Sequence, residues 1–401
     1  MSEKGYDAIV VGARCAGSTL ALALAKEGLD VLVIDRDELG SDTISTHAFF
    51  PNTIARFEEL DVLDRMRAEH TLRPMVHHVW ILGRVLEGTF SEIAGWDRSL
   101  SPRRVVIDRA IAEAAMDSGA EIRFGTKVRG LIGAGTEDDP VRGVELEDGT
   151  EIEADRVFGA DGRASTVAGL LGLPKREPRA SDMSMLFAYW RGVGPVERMT
   201  IAAREDRGFN RIPCEDDVDL LVVLGKPDFT RGSGEERERR YHETLRGFPE
   251  VFDASKLDGA EMISEIRVIP ETMLRGFFRQ AAGPGWALVG DAGHFKHPAT
   301  AQGISDAVEQ ALHVADAVTG SDPGLEGYEA WREARAEGHY DWSFQFGRFP
   351  REEVAGPLFE GLRSDPRADQ DFRDTMTRTV NPRDAMSKER LERWFAAANA
   401  A

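Results

Sequence analysis

The stretch that most constrains this chain lies near its start. Ala8-Ile9-Val10-Val11 is a short apolar run of the kind that forms a buried parallel strand. It ends at Gly12-Ala13-Arg14-Cys15-Ala16-Gly17. The Ala- and Leu-rich segment from Ser18 to Ala25 then predicts a helix that stops at Gly28. Val31-Leu32-Val33-Ile34 follows as a second buried strand and delivers Asp35. Strand, glycine turn, helix, strand and terminal acid form a dinucleotide-binding βαβ unit. The interval from Gly12 to Asp35 is close to the ~20 residues such a unit uses. Gly12 permits the tight turn, Gly17 lets the helix pack on the strand, and the helix N-terminus faces a pyrophosphate. Asp35 can bind ribose hydroxyls, which favours an unphosphorylated ribose. One position departs from G-x-G-x-x-G: its second glycine is Arg14, whose side chain must turn outward or pair with the phosphates. The unit alone does not separate NAD from FAD, and a doubly wound domain that has lost its ligand would read the same way.

A second constellation stands near residue 300. Trp286-Ala287-Leu288-Val289 ends in Gly290-Asp291, a loop carries His294, His297 and Pro298, and a helix opens near Gln302-Gly303-Ile304. Ile304, Ala307, Val308, Ala311, Ala315 and Val318 fall at helical spacing on one face. A carboxylate at a strand end can accept hydrogen bonds from a polyhydroxyl chain, and the orphan N–H groups of a helix start suit negative charge on an electron-poor ring. Between the two constellations, Val157 to Val167 is a further strand, loop and helix start that carries Asp161-Gly162.

The remaining segments sort by texture. Ser41 to His47 is polar and precedes Pro51 and a helix from Asn52 through Leu60. It reads as an inserted ligand loop with His47 lining the site, or equally as a helix-entry loop with Thr46 capping. Val79 to Leu82 and Val85 to Phe90 predict a hairpin, and Arg103 to Asp108 leads into a helix ending near Gly119. Along 183–190, Met and aromatic residues alternate with other apolar ones, so both faces of that strand are apolar. The expected fold is α/β: a Rossmann-like dinucleotide domain with an inserted, mainly antiparallel β substrate domain and C-terminal helices. The nucleotide domain takes 1–75, 100–180 and 270–325, the substrate domain 76–99 and 181–269, and a helical segment 326–401. In the last, Tyr340, Trp342, Phe344, Phe346 and Phe349 form an aromatic cluster placed to pack across the domains.

Composition narrows the partners. With 50 basic and 70 acidic residues the net charge is −20, which argues against a nucleic-acid backbone or an anionic membrane. No apolar run approaches the roughly 20 residues of a membrane span, and no CxxC pair or HExxH helix offers a metal site. Of the two cysteines, Cys15 sits inside the glycine turn, so a reducing, cytoplasmic setting is expected. Met1 to Asp7 is polar and runs straight into a strand, leaving no stretch that reads as a signal peptide. Nothing in the sequence fixes an oligomeric state.

Taken together, Gly12 to Gly17 with Asp35, Gly159-Ala160-Asp161-Gly162 with Ser165, and Gly290-Asp291 with Pro298 and Gln302-Gly303 occur in an order and spacing that resemble one family. That family is the FAD-dependent monooxygenases of the p-hydroxybenzoate hydroxylase type, and Arg104 to Asp108 resembles its arginine at the helix beneath the cofactor. The resemblance implies that Gly12, Ala13, Arg14, Cys15, Ala16 and Gly17 cradle the FAD pyrophosphate, with Asp35 and Arg36 at the adenosine. It implies that Thr46, Arg104, Asp161, Gly162 and Asp291 reach the cofactor, and that Pro298, Gln302, Gly303 and Ile304 lie beside the isoalloxazine. Ala168 departs from the pattern, because an arginine commonly follows the Asp-Gly motif. The implied activity is an NADPH- or NADH-dependent hydroxylase in which O2 adds to reduced flavin as a C4a-hydroperoxide and one oxygen passes to a small aromatic or apolar substrate. His47, His294 and His297 are the candidate catalytic groups. Two rivals share the fold. A geranylgeranyl reductase-type enzyme usually carries a Pro-Cys-Gly-Gly-type segment, absent from Ser41 to His47, and a flavin-dependent halogenase a Trp-x-Trp-x-Ile-Pro segment, also absent. From another class, the chain could be a non-catalytic FAD-binding sensor.

Overall fold

Five short runs of apolar or β-branched residues pair side by side at the centre of the molecule. The computed structural model describes residues 2–320 and 322–400; Met1 and Ala401, which end the polar N-terminal stretch and the C-terminal helical segment, lie outside them. The central sheet is ordered Trp286–Leu288, Val157–Gly159, Ala8–Val11, Val31–Ile34, Glu121–Arg123, all parallel, with Ala282–Gly283 antiparallel at one edge. Ala8–Val11 and Val31–Ile34 are buried along their whole length, as strands covered on both faces must be. On one face the helices Cys15–Lys26, Arg104–Asp117 and Gly303–Thr319 pack together through Leu20, Leu24, Ile107, Ile111, Val308 and Ala311. The other face is covered by a four-stranded sheet whose Val144, Leu146 and Ile152 meet Ile9 and Leu32.

The second large sheet has eight strands. Its main order is Glu261–Met262, Ser184–Arg191, Val218–Gly225, Arg207–Pro213, Arg198–Ala203, Val76–Ile81, Arg84–Gly88, with Arg267–Ile269 also pairing Ser184–Arg191. All pairings are antiparallel except the one between Val76–Ile81 and Arg198–Ala203, which joins segments far apart in sequence. The alternation along 183–190 separates two cores. Met185, Phe187 and Tyr189 face the nucleotide domain, while Leu186, Ala188 and Trp190 face Tyr241, Leu245 and Phe248.

The C-terminal helices tie the layers together. Tyr340 and Phe344 pack on Phe278, and Trp342 and Phe346 join Phe372, Val79 and Leu86. The aromatic cluster thus splits between the eight-stranded sheet and the strand Gly276–Phe278 of a separate three-stranded sheet, and half-buried Phe349 belongs to neither group.

The glycine turn sets the tightest tolerance in this frame. A Cβ on Gly17 would stand 1.8 Å from the Gly12 carbonyl oxygen, inside any van der Waals contact. Gly28, by contrast, has φ +87° but open space around it. Gly17→Ala is therefore expected to destabilise by ~3 kcal/mol or more, through forced displacement of a packed helix. Gly28→Ala should lose only ~1 kcal/mol, through left-handed strain. Chemical denaturation of both variants checks the difference; equal losses would contradict it.

Candidate functional site

The C-terminal ends of the central strands open into a cleft of about 1250 Å³. That exceeds the ~300–1,000 Å³ of pockets for drug-sized ligands and suits an extended dinucleotide. Gly12, Arg14, Cys15, Ala16, Asp35, Arg36, Thr46, His47, Arg104, Asp161, Gly162, Asp291, His297, Pro298, Gly303 and Ile304 all line it. Residues drawn from separated parts of the chain thus converge on one wall-to-wall site. Ala13, Gly17, His294 and Gln302 do not line it.

One end of the cleft is built on Asp35. Its Oδ2 accepts the Ala13 N–H at 2.6 Å and its Oδ1 the Asp37 N–H at 2.8 Å, which locks the carboxylate at the strand end. Each oxygen keeps further acceptor capacity for hydroxyl groups. Ala13 therefore acts from behind, and Gly17 is the contact that lets the helix approach. Arg36 is largely exposed at the rim. Arg14 turns outward: its guanidinium meets Asp37 at 3.1 Å, Ser41 Oγ at 3.3 Å and Asp108 at 3.4 Å. Asp108 is the hub here, accepting from Arg104 at 2.9 Å and from the Cys15 N–H at 3.2 Å. The helix Cys15–Lys26 has no side-chain cap, and Asp108 supplies a carboxylate to its N-terminus instead. Cys15 is inert as a thiol, since burial drives its pKa far up.

The opposite end is built on the Gly290–Gly303 loop. Asp291 lies deep in the cleft, and burial pushes its carboxyl up to about 6 against the pull of Arg163, with Asp306 adding to the rise. Ala301 sits in the left-handed region at φ +49°, and two residues later the helix Gly303–Thr319 begins without a side-chain cap. Its first N–H groups are left to the cleft. Asp161 is spent partly on local structure: its Oδ2 accepts the N–H of Thr166 at 2.6 Å and caps the helix Thr166–Leu170. Arg163, next to that motif, also lines the cleft.

Behind the loop is a buried charge cluster that the sequence does not announce. Asp306, in the first turn of the helix, pairs with Lys296 at 2.5 Å, with Arg378, and with His294 at 3.5 Å. Burial alone would raise Asp306, but Arg378 and Lys296 outweigh it and hold the carboxyl well below the usual range. Burial lowers Lys296 to about 8, only partly offset by Asp306. Arg378 also donates to Glu309 at 2.7 Å and to Gln302 Oε1 at 2.7 Å. Gln302 Nε2 donates to the carbonyls of Met376 and Thr300 at 2.9 and 3.2 Å. Gln302 is therefore fastened to the C-terminal segment rather than presented beside a cofactor ring. Arg378 itself has φ +63°, a left-handed conformation kept by its three partners.

The three candidate histidines divide. His294 lines neither the cleft nor the space beside it: it is 1 % exposed, stacks on Phe278 at 5.3 Å and has Gln310 Nε2 at 3.2 Å from its Nδ1. Its expected contact with substrate is corrected to a place inside the charge cluster. His47 contacts the Pro102 carbonyl at 2.7 Å and Ser45 at 3.2 Å. His297 accepts the Ala299 N–H at 3.2 Å and meets Ser181 at 2.9 Å. Burial lowers all three to about 4, so each is neutral near pH 7 and a weak proton acceptor. Thr46 reaches Met185 Sδ at 3.9 Å rather than capping a helix. The helix behind it starts at Pro51 with no side-chain cap. Among the described residues no cluster of metal ligands occurs, and no helix is long and apolar enough to cross a membrane.

Comparison with known proteins agrees with this geometry. The profile of the FAD binding domain family matches residues 5–343. Protein FixC of Escherichia coli O157:H7 is 35% identical over 181 residues, 44% of this chain, and the chain spans only 41% of FixC. Digeranylgeranylglycerophospholipid reductase of Methanosarcina acetivorans is 27% identical over 82% of this chain and 81% of its own length. Among solved structures, that of pqsL, a probable FAD-dependent monooxygenase from Pseudomonas aeruginosa, superposes with a TM-score of 0.70 at 22% identity, covering 86% of this chain and 95% of that one. The fold is shared with it.

Six buried histidines, His78 among them and lowered by burial like the rest, make stability acid-sensitive. His47, His77, His294 and His297 are lowered to about 4 and His339 to about 2, in each case first by burial. Between pH 6.5 and 4 the unfolded chain binds protons at these sites that the native state refuses, so stability is lost as pH falls through this window. Asp161 and Asp291, both raised by burial, work in the opposite sense. Six buried histidines against two carboxyls predict a Tm lower by ~10 °C at pH 4.5 than at pH 6.5. A flat Tm by scanning calorimetry would contradict it.

Proposed function

The chain belongs to the FAD binding domain family, and from that premise we propose that it is an NAD(P)H-dependent FAD monooxygenase that oxygenates a small aromatic or apolar molecule. The observation that carries the reading is continuity. A single cleft runs from Asp35, past the glycine turn, to the uncapped helix at Gly303, and from there adjoins an apolar chamber under the second sheet. The residues present fit FAD. Gly12 and Gly17 permit close backbone approach, Asp35 offers acceptors for adenosine ribose hydroxyls, and Asp291 offers them for the ribityl chain. Arg104 and the start of the helix Cys15–Lys26 face the pyrophosphate region.

Bound FAD supplies the redox chemistry, taking reducing equivalents from a nicotinamide and passing one oxygen atom from O2 to the substrate. The protein supplies placement and electrostatics. The first N–H groups of Gly303–Thr319 stabilise negative charge at the ring by about 0.3–1 kcal/mol, or up to ~2 where buried. At ~1.4 kcal/mol per decade that is at most a factor of roughly thirty, so exclusion of water and positioning must contribute more. His47 and His297, neutral and held by Pro102 and Ser181, act as fixed hydrogen-bonding walls rather than as strong bases. Asp291, with a carboxyl near 6, can change protonation close to neutral pH at the ring end of the cleft.

A second reading has its own support. The similarity to an archaeal reductase extends over most of both chains, which favours addition of two hydrogens to an isoprenoid double bond. The missing Pro-Cys-Gly-Gly-type segment at Ser41 to His47 weighs against it. One experiment separates the two. The purified protein should show a flavin spectrum and oxidise NADPH or NADH when offered, in parallel, candidate phenols and an unsaturated polyprenyl alcohol under labelled O2. A product heavier by one labelled oxygen supports the monooxygenase; a product heavier by two hydrogens, with no label, supports the reductase and overturns the first reading. Asp291→Ala is expected to weaken FAD binding at least tenfold in equilibrium titration, because a charge-assisted hydrogen bond is lost.

A further inference from the structure

Where the cleft passes Pro298 and Ala301 it meets a smaller chamber of about 50 Å³, and Thr46, His47 and His297 line both spaces. One wall is a face of the eight-stranded sheet. The register pairs His77 with Met199 and Asn210 with both Ile201 and Val222, so these five side chains share that face. Met185 and Met376 close the chamber from the sheet and from the C-terminal segment. Among the described residues no Asp, Glu, Lys or Arg lines it. Its three histidines are neutral near pH 7. The nearest cation behind His77, Arg373, is already paired with Asp369 at 2.5 Å and with the Thr89 carbonyl at 3.0 Å.

Within this uncharged shell two polar atoms lack a partner, Asn210 Oδ1 and Thr300 Oγ1; the hydroxyl can donate or accept, whereas the amide oxygen can only accept and so calls for a donor. The Asn210 Oδ1 is buried without a hydrogen bond, on a sheet face it shares with His77, Met199, Ile201 and Val222. A buried amide oxygen left unpaired is unfavourable, and such sites are kept where a ligand completes them. A carboxylate in the chamber would find no cation to offset its desolvation, and burying an unpaired charge is far more costly than burying a hydroxyl.

We propose that this chamber is the substrate subsite and that Asn210 is its specificity-determining residue, selecting an uncharged, flat apolar molecule with one hydrogen-bond donor such as a phenolic hydroxyl. The proposal rests on the monooxygenase reading for what happens to that molecule, but not for its binding. An apolar cavity of roughly 150 Å³ accommodates benzene, so a one-ring ligand needs more room than the chamber now offers. Three flexible methionines, Met185, Met199 and Met376, are the side chains able to yield it.

The test is equilibrium binding to the FAD-loaded protein of three probes that share one ring: p-cresol, p-xylene and p-toluate. The expected order is p-cresol about tenfold tighter than p-xylene, with p-toluate weaker than both. In Asn210→Leu, checked for folding by its bound-flavin absorbance, p-cresol should lose its advantage over p-xylene. Binding of p-toluate as tight as that of p-cresol, or a hydroxyl preference unchanged in Asn210→Leu, would overturn the proposal. The three-probe series on the unaltered protein stands even if the variant does not fold. Because binding is read without NAD(P)H or O2, failure of oxygen transfer would overturn only the activity and leave this inference standing.

Discussion

The Asp306 carboxylate holds three parts of the molecule in one place. Lys296 comes from the loop after Asp291, His294 from the short strand beside it, and Arg378 from the far C-terminal segment. Taking so many charges out of water is costly, and removing one partner of such a set leaves a buried charge unpaired, typically 3–5 kcal/mol worse. The cluster therefore behaves as a joint: it is stable complete and poor in any partial form. What it fixes is the first turn of Gly303–Thr319, the element whose start lines the cleft, and through Gln302 and Met376 the wall of the adjacent chamber.

The same short loop separates two electrostatic regimes. On one side of Pro298 and Ala301 lie Lys296, Asp291 and Asp306, charged groups in the lining of the large cleft. On the other side His47, His77 and His297 are neutral and the surroundings are methionine and branched aliphatics. Low polarity there strengthens every hydrogen bond a substrate makes, while the charged side needs solvent or counter-charges to be tolerable. The left-handed backbone at Ala301 marks the turn between the two.

Much of the nucleotide half was legible in the sequence, because its signals are local. A buried strand, a glycine turn and an acid at fixed spacing specify their own geometry, and Gly12, Asp35, Asp161 and Asp291 do converge on one cleft. The outward turn of Arg14 was open as one of two outcomes, decided only by where Asp37 and Asp108 lie. The histidines were harder. Proximity to the Gly-Asp motif says that His294 is near the site, but not that Phe278 and Gln310 wall it off. Neither Lys296 nor Asp306 carries a local signal that links it to Arg378, more than seventy residues on. Asn210 carries no signal at all in sequence, since its role depends on which strand face meets the loop.

Arg378 and Met376 lie beyond residue 343, where the match to the FAD binding domain family ends, yet they brace the cofactor helix and close the chamber. Two structural demands thus fall on different stretches of one chain. The core must keep its glycines and acids to hold an invariant cofactor. The tail is free to exchange side chains at Met376 and retune the chamber, provided the arginine anchor survives. Diversification of ligand preference among proteins built this way would be expected to concentrate in the tail and the second sheet, with the nucleotide core drifting little.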